Sequence, residues 1–257
     1  MGEKVNTKVI YTAIFGNELG LIPQPKLAGF DYICFTDQLH LKAKPWKVIH
    51  VEAPFPEDLT RSNRYLKILA HKFVKNYDTS VYIDANFLIV GDLNQLMQAC
   101  LSDYSMVVFN HAFTVPDNRD CIYEEARAIN ALREKGIYNK ENSAAVERHI
   151  NFLRSEHYPE NYGLIKGGFL LRKHNAEDVI KVMEDWWFMI ENYSKRDQMS
   201  FNYVAWKNNF EFKFIDQDIR RGNPYIYWLG NHRKSWTLKL LKFKIKKKLG
   251  WIKIPET

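Results

Sequence analysis

The chain has 257 residues, of which 46% are hydrophobic and 26% charged, so it can form a substantial core in one large domain or two small ones. Its net charge of +7 is unevenly distributed, because residues 233–257 contain nine Lys or Arg and one Glu. The basic pI of about 9.1 therefore belongs to the C-terminal tail. This distribution argues against a folded body that binds nucleic acid through a basic surface.

The three cysteines are widely spaced and include no CxxC pair. They predict a reducing compartment, and neither a disulfide framework nor a zinc site. Residues 1–6 lack the apolar run of a signal peptide, and no stretch approaches the roughly 18 apolar residues of a membrane span. We therefore expect a cytoplasmic protein.

The first 110 residues alternate between short apolar runs and segments with helical spacing of apolar residues. Such alternation predicts a largely parallel α/β sheet. Strands are predicted at 9–15, 31–35, 46–51, 81–83 and 106–109, and helices at 60–73 and 93–101.

The second half is predicted to contain more helix than strand. Helices are expected at 122–133, 143–154, 175–190 and 197–206, and strands at 164–172 and 212–215. Asn175 is the expected N-cap of the third of these helices, and Gly167–Gly168 should place a tight bend in the strand at 164–172. With no internal repeat or linker, the chain is predicted to form one domain over 1–236 and a tail over 237–257.

A short β-forming run, residues 80–83, is followed directly by Asp84, Ala85 and Asn86. Two oxygen-bearing side chains would then lie at the carboxyl edge of the sheet, where open α/β sheets bind ligands. Oxygen ligands are also what a hard divalent cation requires. The alternative is a simple turn, because Asp and Asn stabilise turns through their own side chains.

Other polar residues occur where predicted strands end or helices begin. Thr12, Gly16 and Asn17 follow the first strand, and Asp37 follows the second. Arg61, Arg64 and Lys67 lie near the start of the first long helix. Arginines there could hold phosphate oxygens, or the three cations could form a solvated helix face.

Two later segments carry further candidates. Asp197 and Gln198 are predicted just inside a helix start, where a carboxylate also has a structural reason to occur. His232, followed by Lys234, could supply a nitrogen ligand to a metal and a counter-charge to a phosphate. A lone histidine also occurs often for purely structural reasons.

Six short motifs in this order resemble those of a GT-A glycosyltransferase. They are YTAIFG at 11–16, DYICFTD at 31–37, RSNRYLK at 61–67, YIDAN at 82–86, RDQ at 196–198 and HRKSW at 232–236. The chain is most similar to a glycosyltransferase family shared by bacteria and plants, whose plant members include mucilage-related enzymes. It resembles the family 8 sugar transferases more distantly.

The resemblance implies a role for each matched residue. Asp84 and Asn86 would occupy the Asp-x-Asp position that holds Mn²⁺ or Mg²⁺ against the nucleotide diphosphate, and His232 would complete that metal site. Lys234 would bind phosphate, and the pair Asp197–Gln198 would lie beside the donor sugar. Residues implied to surround the nucleotide or its sugar are Thr12, Phe15, Gly16, Asp37, Arg61, Arg64, Lys67, Ala85, Gly167 and Gly168.

The chain departs from the family 8 pattern at Asn86, where that family has a second Asp. An amide binds a cation through one carbonyl oxygen and lacks the carboxylate's charge, so we expect a weaker metal site.

The reaction that the resemblance implies is hexosyl transfer from a nucleotide-diphosphate sugar to a hydroxyl of a glycan or lipid-linked acceptor, in surface polysaccharide synthesis. Retention of configuration is favoured by the Asp–Gln pair, whereas an inverting enzyme would use Asp197 as its base. The alternatives are a hydrolase of a sugar nucleotide or lipid amide, and a non-catalytic glycan- or nucleic-acid-binding protein. The sequence contains neither HExxH nor a nucleophile elbow, which disfavours the hydrolase.

The tail has apolar residues at helical spacing among lysines. Lys242, Lys246 and Lys253 surround a face formed by Leu238, Leu241, Ile245, Leu249 and Ile252. The pattern predicts an amphipathic basic helix at an anionic membrane surface, which would make the protein peripheral at the inner membrane face. A strand around 242–246, a helix packed on its own domain, and nucleic-acid binding are the alternatives.

Overall fold

The computed structural model describes residues 7–16, 20–137, 141–230 and 236–256. Nine strands lie within this part of the chain. They are β1 (Lys8–Ile14), β2 (Phe30–Thr36), β3 (Lys47–His50), β4 (Thr79–Ile83), β5 (Phe87–Ile89), β6 (Met106–Asn110), β7 (Ile165–Arg172), β8 (Lys213–Ile215) and β9 (Ile226–Trp228).

Seven of these strands form one sheet in the order β3-β2-β1-β4-β7-β6-β8. Strand β7 runs antiparallel to both of its neighbours, and the other pairs in the sheet are parallel. Strands β5 and β9 pair antiparallel in a separate small sheet. The predicted fold class is confirmed as a mixed α/β domain with a mostly parallel central sheet.

Helices cover both faces of the sheet. They are α1 (Leu59–Ile68), α2 (Ala70–Phe73), α3 (Leu93–Cys100), α4 (Ile122–Glu134), α5 (Ser143–Ser155), α6 (Glu177–Asn192), α7 (Phe201–Lys207) and α8 (Trp236–Lys248). Successive residues of a strand face opposite sides, so Val9 and Tyr11 of β1 join the core beneath α1 and α6, whereas Ile10 and Ile14 join the core beneath α3.

The sequence predicted the start of α6 incorrectly. The helix begins at Glu177 with Ala176 as its N-cap. Asn175 instead donates through Nδ2 to the carbonyls of Lys75 and Tyr77, both at 2.9 Å. The helix predicted over 197–206 is also divided, into a 3-10 turn at Asp197–Met199 and α7.

The bend predicted at Gly167–Gly168 is a change of register within one continuous strand. On β6, Val108 pairs with Leu170 and the next residue, Phe109, pairs with Lys166. Residues 167–169 therefore have no partner on β6. This irregularity brings the backbone of both glycines close to the ends of α1 and β4.

The end of α1 is fixed from below by a fully buried arginine of β7. Arg172 donates to the carbonyls of Lys67 and Ile68, each at 2.9 Å. Tyr11 of β1 donates to the same Lys67 carbonyl at 2.6 Å. Because a helix C-terminus carries partial negative charge, a cation is favourable there. These bonds hold Lys67 in place at the end of the sheet.

We expect the fold to lose stability in acid through His149 of α5. Its ring is fully buried, neither ring nitrogen has a hydrogen-bond partner, and burial lowers its pKa to about 3. The unfolded chain binds a proton below about pH 6.5, whereas the native ring stays neutral, so stability falls as the pH decreases through this range. Between pH 7 and pH 4.5 the free energy of unfolding should fall by about 2–3 kcal/mol less in His149→Phe than in the wild type. Urea unfolding at the two pH values measures this difference. The same pH dependence in both proteins would contradict this prediction.

Candidate active site

The ends of β1 and β2 are joined through a left-handed glycine. Gly16 has a φ of 77°, and its backbone N–H donates to both carboxylate oxygens of Asp37, at 3.0 and 3.1 Å. Gln38 donates through Nε2 to the Gly16 carbonyl at 2.6 Å. The structure thus brings Gly16 and Asp37 together at the carboxyl edge of the sheet, with the Asp37 side chain exposed.

Two other residues predicted in this region lie deeper. Thr12 is in the middle of β1, fully buried, and its hydroxyl has no hydrogen-bond partner. Phe15 is buried in the core beneath α1. The structure places both below the edge where Gly16 lies.

The Asp84-Ala85-Asn86 segment leaves β4 at the same edge. The Asp84 backbone N–H donates to the Gly168 carbonyl at 2.9 Å, and the Asp84 carboxylate accepts from the Tyr82 hydroxyl at 3.0 Å. Asn86 accepts from the Leu229 N–H through its backbone carbonyl at 3.0 Å. The side-chain oxygen of Asn86 is buried and has no hydrogen-bond partner. All three residues of the segment are half-buried.

Asn63 of α1 connects the two strand ends, a role that sequence reasoning missed. Its Nδ2 donates to the Ala13 carbonyl at 2.6 Å and to the Tyr82 hydroxyl at 3.3 Å. Because Tyr82 in turn donates to Asp84, this chain of hydrogen bonds fixes the Asp84 carboxylate from β1 and α1 together.

Asp197 forms a buried ion cluster with two cations of α1. Lys67 is 1% exposed and pairs with Asp197 Oδ2. Arg64 approaches the same oxygen through Nε at 3.2 Å. Burial alone would raise the pKa of Asp197, but the charges of Arg64 and Lys67 outweigh burial and hold that pKa well below its usual range. Asp197 is therefore a permanent carboxylate at neutral pH.

Gln198 has a structural contact of its own. Its side chain is buried and donates through Nε2 to the Ile165 carbonyl at 3.1 Å. Together with the pairing of Asp197, this contact ties the 3-10 turn to α1 and β7.

Both predicted glycines lie where a side chain would not fit. A Cβ on Gly167 would lie 2.8 Å from Asp197 Oδ2 and 3.0 Å from Lys67 Nζ. A Cβ on Gly168 would lie 2.7 Å from Phe87 Cε2 and 3.1 Å from Asp84 Oδ2. The glycines therefore place β7 in direct contact with both candidate carboxylates.

Arg61 is not brought to this site. Its guanidinium donates to the carbonyls of Ile190 and Tyr193, at 3.1 and 3.2 Å, and pairs with Asp58 at 2.8 Å. These contacts fasten α1 to the end of α6. The prediction that it surrounds the nucleotide is corrected accordingly, because its three nitrogens point to α6 and to the start of its own helix.

A second ion cluster, which the sequence analysis did not identify, adjoins Asp197. Glu125 of α4 is 1% exposed and accepts from Arg119 at 2.8 Å and from Arg196 at 2.7 Å. Lys166 of β7 contacts His111 Nε2 at 3.2 Å, and His111 lies 3.9 Å from Glu125. Burial, assisted by the charge of Arg196, lowers the pKa of Lys166 to about 8. Cations outnumber carboxylates in this cluster, so it produces a positive potential beside Asp197.

Arg220 extends the positive region toward Asn86. It pairs with Asp117 and lies over the Trp228 ring, with its guanidinium 5.4 Å from the ring centroid. Trp228 belongs to β9, which pairs with β5 immediately after Asn86.

Asn17, His232 and Lys234 lie outside the described residues. Among the residues that are described, no group of three or more His, Cys, Asp or Glu side chains could hold a metal ion. Of the three residues predicted to hold a metal, Asp84 and Asn86 are the two that the structure describes.

Residues 35–221 match a family described as TOD1/MUCI70, glycosyltransferase-like domain. The match spans the ends of β2 and β4, the glycines of β7 and both ion clusters. The chain belongs to this family. The predicted resemblance to a family with mucilage-related members is confirmed by this match, whereas the distant similarity to family 8 is not. Membership supports a glycosyltransferase.

Two solved structures of glycosyltransferases are similar to this chain. One is mouse xyloside xylosyltransferase 1, with 10% identity and a TM-score of 0.40 over 84% of this chain and 86% of that one. The other is the bifunctional glycosyltransferase WbbM, with 11% identity and a TM-score of 0.47 over 96% of this chain. The chain spans 45% of the length of WbbM. No curated protein matches the chain in sequence.

Proposed function

We propose that this TOD1/MUCI70-family domain transfers a hexosyl group from a nucleotide-diphosphate sugar to a hydroxyl of a glycan or lipid-linked acceptor. One observation carries the proposal. The Asn86 side-chain oxygen is buried without a hydrogen-bond partner, two residues from the Asp84 carboxylate, at the ligand-binding edge of the sheet. An unpaired buried acceptor requires an explanation, and the position of this one beside a carboxylate favours an ion or a ligand.

The donor would lie along the carboxyl edge from β2 to β4. Asp37 is exposed there and can accept hydrogen bonds from a ribose or base. Gly16, in its left-handed turn, has no side chain to obstruct the donor. The diphosphate would then lie over Asp84 and Asn86. Arg64, in the middle of α1 and one-fifth exposed, is close enough to Asp84 to feel its charge and can donate to a phosphate oxygen.

A divalent cation, Mn²⁺ or Mg²⁺, fits the donor atoms of this segment. Asp84 offers a carboxylate and Asn86 an unpartnered amide oxygen, both of them the hard ligands that these ions prefer. By the family resemblance, His232 would add a nitrogen ligand and Lys234 a phosphate contact. A bound cation would neutralise charge on the leaving diphosphate. With a single carboxylate among the two described ligands, we expect weak cation binding.

The chain's own cations supply the remaining charge stabilisation. Arg64 lies within electrostatic range of Asp84, and the cluster around Lys166 and Arg196 adjoins Asp197, so together they would supply a positive potential at the site. Such preorganised charge favours the transition state in which negative charge develops on the diphosphate. It also compensates for the charge that Asn86 lacks.

Asp197 serves in this proposal as a positioning residue. It is buried, and Arg64 and Lys67 keep it ionised. A carboxylate with such a low pKa is a weak base, which disfavours an inverting mechanism through Asp197 and supports retention of configuration.

Calorimetric titration with a panel of nucleotide diphosphates and nucleotide sugars, with and without Mn²⁺, tests the proposal. Binding of one nucleotide family, strengthened by Mn²⁺, is the expected result. A chain that binds no nucleotide diphosphate would contradict it, and hydrolysis of a sugar nucleotide at the same rate without any acceptor would favour the hydrolase.

Variants of the metal segment sharpen that test. Asp84→Ala should weaken Mn²⁺-dependent donor binding by at least about tenfold, because it removes the only described carboxylate ligand. Asn86→Asp should strengthen Mn²⁺ binding by adding a charge. Asp185→Asn on α6, a carboxylate that pairs with Lys181, is the matched control and should bind the donor as the wild type does. If both segment variants bind Mn²⁺ and donor unchanged, the metal lies elsewhere.

A further inference from the structure

Helix α8 has two apolar faces, and only one of them packs on the protein. Phe243 is buried against Ile22 and Leu88, with its ring 4.8 Å from that of Tyr227. Trp236 and Leu240 pack against the same cluster. The helix thus lies across the small β5–β9 sheet, as one of the alternatives from the sequence anticipated.

The opposite face of α8 is apolar and exposed to solvent. Leu238, Leu241, Ile245 and Leu249 recur at intervals of three and four residues and therefore share a side of the helix. Their side chains are between 49% and 58% exposed. We call these four residues the outer face. Exposed leucines are unremarkable singly, but four in one row form a patch that calls for a partner.

Ile252 does not belong to the outer face, contrary to the sequence-based expectation. The helix ends at Lys248, and Gly250 has a φ of 72°. The N–H groups of Gly250 and Trp251 donate back to the carbonyls of Lys247 and Lys246, at 3.1 and 2.9 Å, which closes the helix with a Schellman motif. The chain then turns inward, and Ile252 and Ile254 pack on the cluster around Phe243. The helix is therefore held at both its middle and its end.

Lysines border the outer face on both sides. At 100° per residue, Lys242 and Lys246 lie along one side and Lys244 and Lys248 along the other, and all four are exposed. Lys42, from the loop before β3, lines the same groove as Leu241 and Lys244, so the positive surface continues onto the body. Trp251, just beyond the helix end, is a further exposed apolar side chain, at 73% exposure.

We propose that the outer face docks on an anionic membrane surface, with α8 lying in the plane of the headgroups. A central row of leucine and isoleucine suits the acyl boundary, and lysines on both flanks suit the phosphates of anionic lipids. A nucleic-acid surface would instead require the cations at its centre. None of the helices in the described residues is long and apolar enough to span a membrane. Docking would hold the chain at the surface where a lipid-linked acceptor lies, but it does not depend on the transferase activity.

Cosedimentation of the full chain with vesicles tests the proposal without any substrate. The wild type should bind phosphatidylcholine vesicles containing 30% phosphatidylglycerol, bind pure phosphatidylcholine far more weakly, and lose binding as salt rises. Leu241→Ser/Ile245→Ser should weaken binding by at least about tenfold, since each side chain loses its insertion into the apolar layer. Lys242→Gln/Lys246→Gln should weaken it by about fivefold for each lysine.

A matched control and two opposing outcomes make the test decisive. Leu132→Ser/Ile137→Ser removes two exposed apolar side chains at the end of α4 and should leave vesicle binding unchanged. All variants should keep the wild-type melting temperature, because the side chains of the outer face are about half exposed and none belongs to the cluster around Phe243. Vesicle binding that survives in Leu241→Ser/Ile245→Ser would overturn the proposal. The proposal would also be overturned if the wild type formed a dimer in the absence of vesicles and Leu241→Ser/Ile245→Ser were monomeric. That result would assign the outer face to a second copy of the chain.

Discussion

Asp197→Asn should lower the free energy of unfolding by about 3–5 kcal/mol, the expected cost of removing one partner of a buried ion pair. Lys67 is 1% exposed, and the described structure gives its ammonium group one carboxylate partner, Asp197. The asparagine keeps the shape of the side chain but leaves this ammonium without its paired carboxylate. Urea unfolding at pH 7, analysed by linear extrapolation, measures the loss.

A double-mutant cycle separates this electrostatic role from a packing role. Lys67→Met should also be strongly destabilising, because it leaves Asp197 with Arg64 alone. The double variant Lys67→Met/Asp197→Asn removes both charges and should be more stable than the sum of the single losses predicts, by about 1–3 kcal/mol. Additive losses would contradict the assignment.

The same double variant addresses catalysis. If Asp197 positions Arg64 without contacting the substrate, the folded double variant should retain donor binding with a higher dissociation constant. A complete loss of transfer with unchanged donor affinity would instead make Asp197 a catalytic residue.

The backbone framework and the Asp84–Asn86 edge were predictable from the sequence because they follow from local patterns. Apolar runs of three to seven residues define β1, β2 and β4, and a parallel strand must place the residues that follow it at the carboxyl edge. The order of the strands and the reversal of β7 were not predictable in this way. They depend on pairings between residues about 90 positions apart, such as Tyr82 with Leu170.

The side-chain networks of the site could be predicted only in part. Arg61 and Arg64 look equivalent in the sequence, yet a shift of three residues along α1 turns Arg61 toward α6 and Arg64 toward Asp197. Asn63, between them, makes the contact with Tyr82 that neither arginine makes.

Burial explains a second omission. Lys166 and Glu125 come from elements distant in sequence, and only the packed fold reveals that Arg119, Arg196 and Lys166 surround the buried Glu125 carboxylate.

Gly168→Ala should lower the rate of sugar transfer on the order of a hundredfold, because it displaces the Asp84 carboxylate. The added methyl group would lie 3.1 Å from Asp84 Oδ2 and 2.7 Å from the buried Phe87 ring, and β7 cannot retreat while Gly168 accepts the Asp84 N–H bond. A shift of about 1 Å in a catalytic arrangement is enough for this loss. Crowding should also cost about 1–3 kcal/mol of stability. Steady-state transfer assays and Mn²⁺ titration measure the functional effect.

Gly29→Ala provides the matched control for Gly168→Ala. Gly29 lies in the turn before β2, at the opposite edge of the sheet, with open space where a Cβ would lie and a φ of 82°. Alanine there should cost about 1–2 kcal/mol through backbone strain alone, a loss comparable to that expected for Gly168→Ala. Equal loss of transfer in both variants would mean that general destabilisation is responsible. Transfer lost only in Gly168→Ala, with Mn²⁺ affinity reduced in parallel, ties the activity to the carboxylate at the end of β4, since that variant alone disturbs it.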